Sequence, residues 1–193
     1  MIDVVDRCKW AEYNDLMKEY HDKEWGTPQH EDKMLYELLI LEGMQAGLSW
    51  NTVLKKRTNF KNALDDFDYK KIMKYSEKKV EELIQNEGII RNRLKIQSII
   101  TNAKAFIKIQ EEFGSFDNYI WGFVNHKQVQ NSWKKLEELP SSTDLSDIIS
   151  KDMKRRGFKF IGTTIVYAFL QAIGVVNDHT TNCFRYKVLL KSP

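Results

Sequence analysis

Two cysteine–histidine pairs near opposite ends of the chain have the residue types of a metal site. Cys8 and His21 are separated by 12 residues, and His179 and Cys183 by three. A step of four positions would place His179 and Cys183 on the same side of a helical turn. Together the four side chains could complete a tetrahedral zinc site that has no open position. Spacing alone also allows two ordinary small residues beside two surface histidines, since the first spacing is not that of a standard zinc finger.

A carboxylate within an apolar helix is the second candidate for chemistry. Glu42 follows Leu35, Leu38 and Leu39 at helical spacing, and the same face would lead on to Trp50 if the helix continued. A carboxylate on a core-facing surface is costly unless it is paired or hydrogen-bonded. It is therefore either half of a structural ion pair or a group that binds a ligand.

Aromatic side chains are concentrated in the same part of the chain. Trp10, Tyr20, Trp25 and Trp50 all fall within the first 50 of 193 residues. Core packing is the simpler explanation for any one of them, because aromatic residues dominate core burial. Beside Glu42, however, the rings would form the surroundings that a planar cation requires, with stacking on its face and a charge at its edge.

The elements that must position these residues are helical. We find no convincing run of the period-2 alternation that strands require. Capping residues, helix-ending glycines and apolar residues at i, i+3 and i+4 predict helices at 33–48, between Ser76 and Gly88, and at 93–113, 144–156 and 163–173. Only Gly88–Asn92 separates two of them, which makes a helix–hairpin–helix candidate. The sequence predicts an all-α fold of about eight helices, in one domain over residues 1–193.

Composition limits the class of protein. With 42% hydrophobic and 30% charged residues, the chain has the profile of a soluble globular protein. The net charge of +3 favours a nucleic-acid partner only weakly, because many metabolic enzymes have similar values. Met1–Asp6 has no basic segment and no apolar run after it, which predicts no signal peptide, and no stretch approaches the roughly 18 apolar residues of a membrane span. We expect a cytoplasmic monomer with no membrane partner.

Four segments of the chain resemble the DNA-3-methyladenine glycosylase I family. They are Tyr20–Gly26, Leu41–Trp50, Gly157–Thr164 and Val176–His179. With Gly88–Arg91 between them, they fall in the same order as in that family. The resemblance covers residues 8 to about 183, and only Met1–Asp6 and Phe184–Pro193 lie outside it.

The resemblance implies roles for individual residues. It implies one structural zinc ion on Cys8, His21, His179 and Cys183, which would join the two ends of the chain. It also implies that Glu42, Tyr20 and Trp50 are the catalytic residues of a base pocket, with Trp10 and Trp25 contributing to substrate binding. Some family members have a tyrosine where this chain has Met17, so that wall of the pocket differs. The family lacks the catalytic aspartate of related helix–hairpin–helix glycosylases, and none is assigned here.

The implied reaction is the removal of N3-methyladenine from alkylated double-stranded DNA in bacterial base excision repair. The damaged nucleotide must leave the duplex to reach a pocket. Its base is already cationic, so it can depart without protonation, and water completes the hydrolysis. Glu42 would hydrogen-bond the edge of the base while Trp50 stacks on its face. The hairpin, with Arg91, Arg93 and Lys95, would hold backbone phosphates without reading sequence.

Two other functions are compatible with parts of the pattern. A zinc-containing helical DNA-binding protein without catalysis would explain the hairpin and the basic residues, but not Glu42 and the aromatic rings around it. A redox protein that uses Cys8 and Cys183 is the weaker alternative, because neither cysteine belongs to a Cys-x-x-Cys motif.

Overall fold

The computed structural model describes residues 5–191 of the chain. The expectation about a signal peptide therefore lies partly outside the described residues, as do the outermost ends of the predicted domain. Within the described range, none of the helices combines the length and the apolar character that crossing a membrane demands.

Ten α-helices account for most of the described residues. They are α1 (Asp15–Lys23), α2 (Asp32–Gln45), α3 (Trp50–Ala63), α4 (Tyr69–Ile72), α5 (Glu77–Gln85), α6 (Arg93–Phe113), α7 (Phe116–Gly122), α8 (Asp144–Arg155), α9 (Thr163–Ala172) and α10 (Phe184–Leu189). Three 3₁₀ helices, Lys9–Tyr13, Asp65–Phe67 and Leu136–Glu138, lie between them. The prediction of a mainly helical fold is confirmed.

The expected number of about eight helices is too low, because α4, α7 and α10 have only four, seven and six residues. Such short helices carry little periodicity in the sequence. The all-α assignment also missed two two-residue strands, β1 (Val129–Gln130) and β2 (Val176–Asn177), which pair in parallel. Strands of this length cannot show an alternating pattern.

Helix ends follow the capping residues in most cases. The bounds predicted for α6 are confirmed, with Gly114 as its C-cap at φ +84°. Gly157 and Gly174 have positive φ after α8 and α9, a conformation that glycine adopts without a Cβ clash. Gly88, by contrast, does not cap α5, because that helix ends at Gln85 and its C-cap is Asn86, whose N–H donates to the Leu83 carbonyl.

The middle of the core is α2, which packs against α3, α6, α7 and α9. Every residue from Leu35 to Met44 is buried, so this helix has no solvent-facing side. The expected burial of Glu42 is confirmed, but it does not depend on the apolar face, because Glu37 is enclosed by protein as well. The helix does not continue toward Trp50, because α2 ends at Gln45 and Gly47 turns the chain at φ +78°.

The two ends of the described chain meet beside α1. The N–H of Phe184 donates to the carbonyl of Asp6 over 2.9 Å. A second, smaller apolar cluster forms here, separate from the main core, and it contains Cys8, Met17, Tyr20, Trp25, Leu54 and Cys183. This cluster supports both groups of candidate residues that the sequence singled out.

Candidate active site and metal centre

A cavity of about 260 Å³ lies between α1, α2, α3 and α9. Its walls include all five residues that were expected to form the base pocket: Trp10, Tyr20, Trp25, Glu42 and Trp50. A volume of this size suits a ligand smaller than a typical drug molecule. The structure thus brings the predicted pocket residues together.

Three helices each contribute one of these side chains, and local capping fixes where each helix lies. Tyr20 is on α1, whose N-cap Asn14 accepts a hydrogen bond from the Met17 N–H over 2.9 Å. Glu42 lies in the last turn of α2. Trp50 is the first residue of α3, after the N-cap Ser49.

Three buried polar atoms of the pocket have no partner within the described residues. Glu42 Oε2, the Tyr20 hydroxyl and Trp50 Nε1 are all buried without a hydrogen bond. Buried polar atoms are almost always paired, so three unpaired atoms in one small cavity need an explanation. Together they offer one acceptor, one donor and one hydroxyl that can do either, an arrangement suited to a polar ligand.

Burial controls the protonation of both titratable groups in the pocket. Desolvation raises the pKa of Glu42 from 4.5 to about 8. Desolvation, reinforced by the nearby Glu42 and Glu24 carboxylates, raises the pKa of Tyr20 well above its ordinary value. Tyr20 therefore remains a neutral hydroxyl, and Glu42 is poised to ionise when a cation enters the cavity.

Aromatic rings form one wall around these groups. Tyr20 and Trp50 have ring centroids 5.3 Å apart at an interplanar angle of 48°. The rings of Trp10 and Trp25 meet edge to face with their centroids 5.0 Å apart. The centroid of Trp10 lies 6.4 Å from that of Tyr20. Ring faces attract cations, so this wall favours a planar, positively charged ligand over a neutral one of the same shape.

Glu37 shows how differently a buried carboxylate on the same helix can be treated. Arg57 Nε donates to Glu37 Oε1 over 2.6 Å, and Lys61 Nζ lies 3.4 Å from its other oxygen. Arg57 also binds both oxygens of Glu24 at 2.8 and 2.9 Å. The structural ion pair considered for Glu42 therefore exists at Glu37, while Glu42 has the surroundings of a ligand-binding group.

Several pocket residues were missed by the sequence reasoning. Gln45, Leu136, Leu139, Ala168 and Gln171 also line the cavity. Leu136 begins the 3₁₀ helix Leu136–Glu138 and Leu139 is its C-cap, and an element this short has no periodic pattern that could mark them. Gln171 had one: it is a polar residue near the end of the otherwise apolar α9.

Beside this pocket, the four predicted metal ligands converge in the second cluster. Cys8, His21, His179 and Cys183 are all buried, and their ligand atoms lie within 4.8 Å of one another. Cys183 Sγ is 3.5 Å from both His21 Nε2 and His179 Nδ1, and Cys8 Sγ is 3.6 Å from His179 Nδ1. A tetrahedral zinc ion would separate sulfur and nitrogen ligands by about 3.6 Å and two nitrogens by about 3.3 Å. The two histidine nitrogens are 3.2 Å apart, so the cluster has the dimensions of such a site.

Hydrogen bonds orient both imidazole rings toward the cluster. His179 Nε2 is 3.0 Å from the carbonyl of Trp25, which can only accept, so Nε2 carries the proton and Nδ1 presents its lone pair. His21 Nδ1 is 2.8 Å from Asp22, which Arg7 holds with two hydrogen bonds from Nε and one from Nη2. His21 Nε2 therefore faces the two sulfurs. This group could hold a metal ion.

The predicted helical turn between His179 and Cys183 is not present. Residues 179–183 form a turn closed by a 2.8 Å bond from the Cys183 N–H to the Thr180 carbonyl, and α10 begins only at Phe184. Their side chains meet because this turn reverses the chain, not because of helical periodicity. Gly26 also makes room at the site, since a Cβ there would lie 2.9 Å from His179 Nε2.

The three basic residues assigned to DNA phosphates have different environments. Arg91 and Arg93 are exposed, and Arg93 pairs with Glu77 and Glu81 in the first half of α5. Lys95 is buried, and its Nζ donates to the carbonyls of Met44 and Ala46 over 2.9 and 2.6 Å. The assignment of Lys95 to phosphate is therefore corrected: its cation caps the C-terminal end of α2, just beyond Glu42.

A profile of the methyladenine glycosylase family matches residues 10–186 of this chain. The chain belongs to that family. It is accordingly a glycosylase, an enzyme that hydrolyses N-glycosyl bonds. It is 48% identical over 182 residues to DNA-3-methyladenine glycosylase 1 of Escherichia coli K12, covering 94% of this chain and 97% of that protein.

Solved structures of family members have the same fold. A crystal structure of 3-methyladenine DNA glycosylase I superposes with a TM-score of 0.90 at 47% identity, covering 93% of this chain and 98% of the other. A structure of 3-methyladenine DNA glycosylase I from Staphylococcus aureus, which describes recognition of 3-methyladenine, superposes with a TM-score of 0.89 at 32% identity. That match covers 92% of this chain and 95% of the Staphylococcus aureus chain.

Proposed function

We propose that this glycosylase is monofunctional, and that it turns N3-methyladenine out of alkylated double-stranded DNA and excises it by hydrolysis. The observation that carries the proposal is the unpaired, buried Oε2 of Glu42 in an aromatic cavity. Nothing within the described residues neutralises this group, whereas Glu37 on the same helix is fully paired. A cationic base would supply the missing charge.

The pocket favours the methylated base over ordinary adenine by charge. N3-methyladenine in DNA is positive, so it gains cation–π attraction from Trp50 and Tyr20 and pairing with Glu42. Its arrival lowers the pKa of Glu42 from about 8, and the carboxylate forms in the complex. Neutral adenine would lose both interactions. This differential binding helps to offset the few kcal/mol that extruding a nucleotide costs.

The chemical step needs no protonation of the leaving group. The bond between the sugar C1′ and the base N9 breaks, its electron pair stays with the base, and 3-methyladenine leaves neutral. Water adds to the oxocarbenium-like C1′ and loses a proton, which leaves an abasic site. The ionised Glu42 offsets the positive charge of the substrate, which lies on the base at first and passes to the sugar as the bond breaks. Within the part of the chain that the structure describes, no lysine lines the cavity, which fits hydrolysis without a Schiff-base lyase step.

We further propose that the four-residue cluster holds one structural zinc ion. The donor set, the distances and the orientation of both imidazoles fit tetrahedral zinc. The ion would hold the segment before α1 to the segment before α10 and so stabilise the wall that carries Tyr20. Its chemistry is structural, because four protein ligands leave no position for water. Elemental analysis of protein purified without a metal-binding tag should give about one equivalent of zinc.

The turn between α5 and α6 is the proposed phosphate-binding hairpin. Arg91 and Arg93 are exposed there and would place the duplex with the damaged nucleotide at the cavity. We propose that the chain acts as a single-domain monomer in the cytoplasm, where the bacterial nucleoid presents its substrate.

Release of a free base from methylated DNA tests the function. Incubation with N-methylated duplex DNA, followed by chromatography of the small-molecule fraction, should show 3-methyladenine as the main product. The DNA should retain abasic sites and show no prompt strand breaks. Release of mainly 7-methylguanine, immediate strand cleavage, or DNA binding without any release would contradict the proposal.

A further inference from the structure

Gln171 is a polar cavity residue for which the proposed mechanism has no role. It lies near the C-terminal end of α9, where it lines the same cavity as Glu42 and Trp50. Ala168, one turn earlier on α9, lines the cavity as well. An amide at this place can contact a base, and which end of the amide it presents decides which base it accepts.

A buried carboxylate fixes the direction of this amide. Gln171 Nε2 donates to Asp178 Oδ2 over 2.7 Å. Tyr167 also donates to Oδ2, while Asn131 Nδ2 and Trp133 Nε1 donate to Oδ1 over 2.6 and 2.7 Å. Asp178 is 1% exposed and accepts two hydrogen bonds at each oxygen. A carboxylate only accepts, so a reversed Gln171 amide would place oxygen against oxygen.

The amide of Gln171 is therefore held in one orientation, and its oxygen Oε1 is available to accept a hydrogen bond. Within residues 5–191, Asp178 holds one of the two Nε2 hydrogens of Gln171, and Oε1 accepts no hydrogen bond. An unlocked glutamine could turn over and offer either a donor or an acceptor to a ligand. Because Asp178 fixes the amide of Gln171, the oxygen end of that amide stays an acceptor and cannot exchange places with the nitrogen.

Adenine and guanine differ at the position that such an acceptor would test. Adenine carries an amino group at C6, a donor, where guanine carries a carbonyl oxygen, an acceptor. A fixed acceptor gains a hydrogen bond from the first and is repelled by the second. Sites built to hydrogen-bond a substrate group discriminate strongly against analogues that cannot make the bond.

We propose that Gln171, oriented by Asp178, is a specificity-determining residue that selects N3-methyladenine against N3-methylguanine by accepting a hydrogen bond from the exocyclic amino group. This inference rests on the proposed function and adds to it the basis for choosing between two bases that carry the same charge. Glu42 and the aromatic wall recognise the cation, and Gln171 recognises the purine.

The test compares two bases released by one enzyme. Gln171→Met keeps the length of the side chain and removes its polar atoms. Both methylated purines are released from the same DNA in the same tube, so any loss of folded enzyme cancels in the ratio of their excision rates. We expect the ratio of 3-methyladenine to 3-methylguanine release to fall about tenfold in Gln171→Met, in keeping with the loss of one charge-assisted hydrogen bond.

Gln45 supplies a matched control. It is a second glutamine in the same cavity, and its side-chain amide has no fixed partner in the described part of the chain. Gln45→Met should lower release of both bases in similar proportion and leave the ratio unchanged. An unchanged ratio in Gln171→Met, or an equal fall of the ratio in both variants, would overturn the assignment.

Binding of the free bases separates this inference from the proposed function. Quenching of tryptophan fluorescence gives Kd for 3-methyladenine and for 3-methylguanine. Gln171→Met should weaken 3-methyladenine binding about tenfold and leave 3-methylguanine binding unchanged or tighter. If the wild-type enzyme releases neither base, the proposed function fails while this selectivity can still be measured. Loss of affinity for both bases alike would refute the role of Gln171.

Discussion

Replacing Glu42 by glutamine should make the protein more stable and less active. The side chain is 3% exposed, and burial raises its pKa from 4.5 to about 8. Glutamine has nearly the same shape and can still hydrogen-bond, but it cannot ionise. The variant therefore removes one physical property, the ability of this side chain to ionise, from a position that otherwise stays filled.

The size of the effect follows from the two pKa values. Below pH 4.5 the carboxyl group is protonated in both the folded and the unfolded state, so it adds no pH dependence. Between pH 4.5 and 8 the unfolded state loses this proton and the folded state keeps it, so the free energy of unfolding falls as pH rises. At 1.36 kcal/mol for each pKa unit, the full loss is about 5 kcal/mol, of which about 3 kcal/mol is reached at pH 7.

Urea denaturation at several pH values measures this prediction. The difference in unfolding free energy between Glu42→Gln and the wild type should be near zero at pH 4.5 and rise to about 3 kcal/mol in favour of the variant at pH 7. Glu37→Gln is the matched control on the same helix. It removes the charge that pairs with Arg57 and Lys61, while Glu24 still pairs with Arg57, so it should destabilise the protein by about 1–3 kcal/mol at pH 7.

Activity should change in the opposite direction. Loss of one preorganised electrostatic contact to a charged substrate typically costs on the order of 100-fold in rate. Wild-type kcat/KM should increase with pH up to about 8 as Glu42 ionises in the free enzyme, and the variant should not show this increase. Spontaneous release of 3-methyladenine at each pH is subtracted. A variant that loses stability at pH 7, or keeps full activity with the wild-type pH profile, would refute the reasoning.

Three further substitutions test the other assignments. Cys183→Ala should lose the bound metal and lower Tm by several degrees, as measured by elemental analysis and calorimetry, and a variant that retains metal and wild-type Tm would contradict the site. Lys95→Met should lower the unfolding free energy by about 1–3 kcal/mol, because two buried carbonyls lose their donor. It should leave the salt dependence of DNA binding unchanged, and a shallower dependence would return Lys95 to the phosphate contacts. Arg91→Ala should reduce the slope of log K against log salt by about 1 without changing Tm, and an unchanged slope would remove Arg91 from the interface.

The sequence determined the helices that end in recognisable caps. The long helix Arg93–Phe113 was predicted to its last residue, because Asn92 and Gly114 mark its ends and its apolar positions repeat regularly. These signals are local, and a single chain carries them in full. The family resemblance added the identity of the pocket and ligand residues, which spacing alone left open.

Tertiary structure decided which charged groups have a partner of opposite charge and which do not. Glu37 and Glu42 are both buried on α2, and no local pattern distinguishes them, yet Arg57 neutralises only Glu37. Lys95 follows Arg93 by two positions, yet its ammonium group is turned inward to the end of α2. Such partners are distant in sequence, and the pairing depends on how helices pack.

For the metal cluster and the pocket too, the sequence indicated some residues and tertiary packing decided their arrangement. The sequence by itself named two cysteines and two histidines, but it placed His179 and Cys183 on a helix, whereas a turn brings them together. It could not supply Gln171, because the role of that amide depends on Asp178 and on the donors that surround it. Residue type and local spacing can be read from the sequence. Burial and the direction of a hydrogen bond are set only when segments that are distant in sequence pack together.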